Sequence, residues 1–281
     1  MRFDLSKIGL TIKTEEFRVN TVRLAQYAAS IDDTNPRHLE GGFAPPVFAH
    51  CPVMQATVEL LKSVTDAFAF HGEHDFHFHR PIEPGMHLFS TATLQGVIPS
   101  PAGVSIVIKT RTQGADGKPI NDQYMTGFVA KASVPKAAGT PAPGHRVPDK
   151  VTAGKPFAEL ACPMALDQTR RYADASRDYS DYALVLEAAR AKGFDGILAH
   201  GMLTLCYAGR TVIDKACGGD TARLKRLACR FSRPVYVVPN QAITTRLFHM
   251  DRREGREVVA FESFDAAGTA VLKHGIAEIA A

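Results

Sequence analysis

The chain has 281 residues, 45% of them hydrophobic and 22% charged, which is ordinary globular composition and excludes a disordered or fibrous protein. That length suffices for one large domain or two smaller ones. A formal net charge of +4 without any block of Lys or Arg suits an acidic ligand such as a phosphate-bearing carrier and argues against a nucleic-acid-binding surface.

In chain order, the first informative stretch is Tyr27-Ala28-Ala29-Ser30-Ile31-Asp32-Asp33, followed by Thr34-Asn35-Pro36-Arg37-His38. Asn before Pro is a good helix N-cap before a good first helical residue, so the turn is pre-shaped by its own sequence. On a continuous helix, Asp33 and His38 would diverge by roughly 140°. With a capped turn between them both can face one cleft, where a carboxylate and an imidazole sharing one water form a general acid/base pair. The bland alternative is a capping Asp33 and a surface His38.

Residues 47–64 are mostly apolar and predict a long buried helix. His71, His74, His77 and His79, with Asp75, form a histidine-rich strand. Asp75, His77 and His79 would share one face, and Phe76 and Phe78 the other. The spacing follows no zinc pattern, so a polar, solvent-facing strand edge is expected and no metal. Period-two alternation then sets Val104, Ile106 and Ile108 against Ser105, Val107 and Lys109, and Asp116-Gly117 signals a hairpin.

Residues 135–155, rich in Pro and Gly, read as a linker. Beyond it the chain repeats itself. Tyr172-Ala173-Asp174-Ala175-Ser176-Arg177-Asp178 matches the stretch ending at Asp33. Gly193-Phe194 and Ala199-His200 match Gly42-Phe43 and Ala49-His50, and Phe231-Ser232-Arg233-Pro234-Val235 matches Phe78-His79-Arg80-Pro81-Ile82. Residues 197–215 stand for the second helix, and Ala267-Gly268 for the second hairpin turn. Residues 1–134 and 156–281 are therefore expected to be two copies of one α+β unit, each a long central helix wrapped by a curved antiparallel sheet.

Tyr27-Ala28-Ala29, Asp33-x-Asn35-Pro36-x-His38, Gly42-Phe43-Ala44-Pro45-Pro46 and Ala49-His50 together resemble the MaoC-like hydratase/dehydratase family, which includes the (R)-specific 2-enoyl-CoA hydratases. The second copy resembles it through Tyr172-Ala173, Gly193-Phe194, Ala199-His200-Gly201-Met202 and Arg230-Phe231-Ser232-Arg233-Pro234-Val235. The resemblance implies a double hot-dog fold. It also implies reversible hydration of trans-2-enoyl-CoA to (R)-3-hydroxyacyl-CoA, with Asp33 and His38 catalytic, Asn35 orienting them, and no cofactor. In the second copy the signature has become Asp178-Tyr179-Ser180-Asp181-Tyr182-Ala183. Alanine transfers no proton, so that copy should be inert.

The family's oxyanion donor follows a histidine at the start of the central helix. Gly201 or Cys51 occupies that place here, and the Cys51 amide, at a helix N-terminus, is taken to polarise the thioester carbonyl. Arg230 and Arg233, with Lys225, are candidates for CoA phosphates. Three other readings stand beside this one. They are a dehydratase on carrier-protein thioesters, a non-catalytic acyl-binding subunit, and a thioesterase using a helix carboxylate, for which Glu59 is the only candidate within 47–64.

Cys51, Cys162, Cys206, Cys217 and Cys229 form no Cys-x-x-Cys pair, and their odd number reads as reduced thiols in a cytoplasmic protein. No signal pattern opens the sequence and no apolar run spans a bilayer, so no membrane partner is expected. Two fused copies already satisfy hot-dog pairing, yet a homodimer is also compatible.

Overall fold

A computed structural model describes residues 2–281. In chain order come strands β1 (Thr11–Lys13) and β2 (Phe17–Arg18) and helices α1 (Thr21–Ser30), α2 (Pro36–Leu39) and α3 (Met54–Val64). Strands β3 (Phe70–Phe78), β4 (His87–Ser100), β5 (Gly103–Gly114), β6 (Pro119–Ala130) and β7 (Ala138–Gly139) follow. Then come α4 (Asp149–Thr152), β8 (Ala158–Pro163), α5 (Gln168–Ser176), α6 (Leu186–Ala191) and α7 (Gly201–Lys215). The chain ends on β9 (Leu224–Phe231), β10 (Ala242–Arg253), β11 (Arg256–Phe264) and β12 (Ala270–Ile279).

The chain packs as two units. One holds residues 2–18, 49–80 and 86–144, the other 19–48, 81–85 and 145–281. In the first, antiparallel strands run β1-β4-β5-β6-β3, with β2 and β7 also paired to β4. Ala56, Leu60 and Val64 of α3 pack on Ala92, Leu94, Val104, Ile106 and Ile108. Spacing i, i+4, i+8 lines one face of the helix, and the even-numbered residues of β5 supply one face of the sheet. The hairpin expected at Asp116-Gly117 joins β5 to β6, with Gly117 at φ 72°.

In the second unit the antiparallel order is β9-β12-β11-β10-β8. Helix α7 packs against β8, β9 and β10 and is buried on every side between Met202 and Gly209, as an all-round apolar helix must be. Each unit is thus a hot-dog, a central helix, α3 or α7, packed on an antiparallel sheet with a five-strand path.

Both helix bounds differ from expectation. The helix expected over 47–64 is broken into a 3-10 turn at Pro46–His50 and α3, which begins only at Met54. Pro52 lies in the turn between them, because a proline's missing N–H and fixed φ fit a helix entry and not a helix interior. The stretch expected as a helix over 197–215 likewise begins at Gly201.

The supposed linker, 135–155, carries structure. Strand β7 lies on β4 where Gly139 faces Gly96, and a Cβ on Gly96 would stand 2.4 Å from the Thr140 carbonyl oxygen. Helix α4 covers β10 and β11, with Val147 and Val151 packed against Phe248, Val258, Ala260 and Ile276. The Pro and Gly residues there serve close approach and turning rather than freedom.

The packing units also differ from the repeats. Residues 19–48, with α1 and α2, belong to the unit that holds the second copy. There Tyr27, fully buried, meets Phe48 edge-on at 5.1 Å, Tyr172 at 5.9 Å and the Cys206 sulfur at 3.3 Å.

Candidate active site

Helix α1 ends when Asp32 adopts a left-handed backbone, φ 49°. That conformation lets the Asp33 amide fold back onto the Ala28 carbonyl at 3.0 Å, closing the helix. A left-handed aspartate is strained unless its surroundings hold it. Here Arg171 of α5 grips both carboxylate oxygens of Asp32 at 2.7 and 3.2 Å, and Arg210 of α7 donates to the Asp32 carbonyl and the Thr34 hydroxyl. The Gln168 amide adds a 2.6 Å bond to the Ser30 carbonyl.

So fixed, Asp33 aims its carboxylate inward. Oδ1 accepts from the Asn35 amide at 2.9 Å, and Oδ2 lies 2.7 Å from His38 Nδ1. Asn35 caps α2 by accepting from the Arg37 amide, with Pro36 at the first helical position, as its sequence dictates. One turn of helix then brings His38 back over Asp33. Asp33 and His38 are 5% and 1% exposed, so the pair works in a medium far less polar than water.

The expected water shared between the two gives way to a direct bond. Asp33 uses both oxygens within the turn. His38 therefore donates from Nδ1, and Nε2 is the nitrogen left for proton transfer. On that side Thr221 Oγ1 lies 2.6 Å away. The Asn35 side-chain amide donates to the Gly219 carbonyl at 2.8 Å. Sequence reading missed Thr221 and Gly219, whose connection to residue 38 no short-range pattern carries.

The other expected site residues lie elsewhere. Cys51 is half-exposed in the turn before α3, in the first unit, so its amide is not the first of a helix. Gly201 does open α7, directly after its cap residue His200. Arg230 and Arg233 are exposed on and just after β9, while Lys225 donates to the Ala222 carbonyl. In the degenerate copy Asp178 accepts from the Ser180 amide and hydroxyl, and Ala183 is buried.

The histidine strand is not the solvent-facing edge expected of it. His74 is fully buried and Asp75 nearly so. A bulge between His71 and Glu73 adds a residue to β3, which turns His71 onto the face of His74. The Gln123 amide donates to the Ala49 carbonyl and Asn121, leaving its oxygen for His74 Nε2 at 3.1 Å and His50 Nδ1 at 3.4 Å. His74 Nδ1 then accepts from His71 at 3.0 Å. Burial, and after it repulsion from His50, pushes His71 down to about 3 and His74 well below its ordinary value. These rings are neutral at pH 7.

The MaoC like domain matches residues 145–268, and the FAS1-like, dehydratase domain region matches residues 6–123. The chain thus carries a MaoC-like dehydratase domain in its C-terminal half and a FAS1-like dehydratase region in its N-terminal half. It is 23% identical, over 99% of its length and 97% of the relative's, to a probable enoyl-CoA hydratase 2 of Dictyostelium discoideum. It is also 23% identical over 219 residues to the mouse peroxisomal multifunctional enzyme type 2, of which the match spans 28%. Among solved structures, a MaoC-like dehydratase from Phytophthora capsici superposes with a TM-score of 0.84 at 21% identity, over 98% of this chain and 97% of that one. This last likeness speaks to the double hot-dog fold. Among the described residues, no helix is long and apolar enough to cross a membrane.

Proposed function

We propose that this MaoC-like chain catalyses the reversible hydration of trans-2-enoyl-CoA to (R)-3-hydroxyacyl-CoA, with Asp33 and His38 as its acid/base machinery. The observation that carries the reading is the buried Asp33–His38 pair with Nε2 directed away from the carboxylate. The relatives' names, an enoyl-CoA hydratase 2 and a multifunctional enzyme, agree with it.

In hydration, water held at His38 Nε2 yields its proton there while its oxygen attacks Cβ. The imidazolium is stabilised by Asp33 through Nδ1–H, and Nε2–H then returns a proton to Cα on the same face. One nitrogen thus serves as base and then as acid. Asp33 holds the tautomer and balances the charge, and Asn35 sets the turn. The thioester carbonyl, which gains charge as Cβ is attacked, needs a donor such as a backbone amide. Cys51 is the candidate of the first copy. Arg230 and Arg233 are candidates for CoA phosphates. We read residues 1–134 and 156–281 as two copies of one unit, only the first with a complete signature, in a cytoplasmic protein that needs no organic cofactor.

The test is the loss of enoyl-thioester absorbance with crotonyl-CoA and a longer trans-2-enoyl-CoA. Turnover by the purified chain supports the reading. Inertness at every chain length, with turnover of the matching carrier-protein thioester, moves the assignment to a carrier-protein dehydratase. Inertness on both leaves an acyl-binding subunit.

A further inference from the structure

His38 makes its second hydrogen bond through Nε2, and the partner is the Thr221 hydroxyl at 2.6 Å. A ring nitrogen carries either one in-plane lone pair or one proton, so it makes one strong hydrogen bond at a time. Thr221 and a reacting oxygen therefore cannot both hold it. The hydroxyl of threonine suits either protonation state of the ring, donating to the bare nitrogen and accepting from the protonated one. Its side chain is also a secondary alcohol bearing a methyl group, the same chemical unit as C3 of a short 3-hydroxyacyl chain.

The segment bearing Thr221 turns through two glycines, and the Gly219 amide ties it to the Ile213 carbonyl of α7 at 2.9 Å. Gly218 and Gly219 sit at φ 64° and 80°, conformations that glycine adopts without strain. Two contacts besides Thr221 fasten the segment to the catalytic turn, Asn35 to the Gly219 carbonyl at 2.8 Å and Arg37 to Asp220 at 3.7 Å. The second is largely exposed, hence weak. His38 itself is 1% exposed, so a reacting oxygen reaches Nε2 only after something yields.

We propose that Thr221 is a positioning residue for His38 whose hydroxyl holds Nε2 in the place of the substrate's 3-hydroxyl, and that the Gly218–Thr221 segment swings aside when a 3-hydroxyacyl thioester binds. This rests on the hydratase reading. It adds that the 3-hydroxyl binds by displacing an internal alcohol.

The variants are Thr221→Val, which keeps the shape and loses the hydroxyl, and Thr221→Ser, which keeps the hydroxyl. Two readouts apply to each, the ¹⁵N signal of the His38 ring and KM for 3-hydroxybutyryl-CoA in dehydration. Thr221→Val is expected to shift the Nε2 signal and to lower KM about 3-fold or more, the scale of one hydrogen bond no longer in competition. Thr221→Ser should leave both as in the wild type. An unchanged ring signal in Thr221→Val shows that the contact does not hold His38 and overturns the proposal. A shifted signal with KM unchanged or raised overturns the exchange with substrate. A wild-type chain inert on both thioesters sinks the hydratase reading instead, and the ring signal tells that failure apart.

Discussion

The turn at Asp33 and the turn at Asp178 are the same device with and without a histidine. Each follows a helix, α1 or α5. Each is entered through a non-glycine residue in the left-handed region, Asp32 at φ 49° or Arg177 at φ 66°. In each the carboxylate accepts from the amide two residues on, at 2.9 Å in one and 3.1 Å in the other. Then they part. Asn35-Pro36 starts a helical turn that returns His38 to Asp33, whereas Ser180 donates its own hydroxyl to Asp178 at 2.7 Å. The 3-10 turn that follows ends in buried Ala183. The difference teaches that the aspartate shapes its own turn through a local hydrogen bond. The histidine is an addition to that turn, which survives its loss.

The largest expected effects break the comparison at its active end. His38→Ala should lower kcat for crotonyl-CoA hydration about 10²- to 10⁴-fold, the usual worth of a positioned acid/base group. Asp33→Asn keeps an oxygen for the Asn35 amide, so the turn should persist. Its NH2 group, though, faces Nδ1 and forces the proton of a neutral ring onto Nε2, where the base must be. A kcat loss on the order of 10²- to 10⁴-fold with unchanged circular dichroism is expected. A variant within a few-fold of wild type would show that Asp33 merely shapes the turn, as Asp178 does.

Much of this was legible in the sequence, and for local reasons. Asp33, Asn35, Pro36 and His38 lie within six residues, and capping bonds among them shape the turn that Arg171 and Arg210 also hold. Strand alternation in β5 and the turn at Gly117 are likewise local. What was hidden depends on distant partners or on one irregular residue. Thr221 and Gly219 meet the Asp33–His38 turn from across some 180 residues. The bulge after His71 breaks the alternation and brings it to the face of His74, which strict period-two reading does not foresee. Segment 135–155 looked like a linker because composition reports its Pro and Gly but not the β4 and β10 surfaces they let it cover.

Histidines sharpen the comparison next. The first copy sets half-buried His71 and buried His74 beside His50, and the second buries His200, which burial also pushes down while it donates to the Asp178 carbonyl. An imidazole with a lowered folded-state pKa is neutral in the folded chain while its unfolded counterpart takes a proton below about pH 6.5. Stability is therefore whole above that pH and is lost as pH falls from about 6.5 toward the folded value, near 3 for His71. The slope should approach 1.4 kcal/mol per pH unit for each such ring, about 2 to 3 kcal/mol per unit for His71 and His74 together. Urea unfolding at pH 7 and pH 5 measures it, and equal stabilities at the two would refute it.

A smaller effect is expected at the exposed arginines of the second copy. Removing Arg230 or Arg233 should raise KM for crotonyl-CoA about 2- to 5-fold and leave kcat in place, as loss of a solvent-screened phosphate contact does. The same change measured with crotonyl-pantetheine, which lacks the nucleotide phosphates, should vanish. A KM increase that persists with the short thioester would move these residues from phosphate binding to support of the fold.

The smallest effect belongs to the inert end of the comparison. Asp178→Asn retains an oxygen for the Ser180 amide and hydroxyl, and Ala183 offers no proton to lose. With its turn local and its histidine absent, the second copy should tolerate the change with kcat within about twofold and stability lowered by about 1 kcal/mol, the worth of weakened hydrogen bonds to a charged acceptor. A kcat loss beyond tenfold in a fully folded variant would give Asp178 a part in the reaction. The second copy would then be a working partner of the first, and the loss of His at position 183 a division of labour.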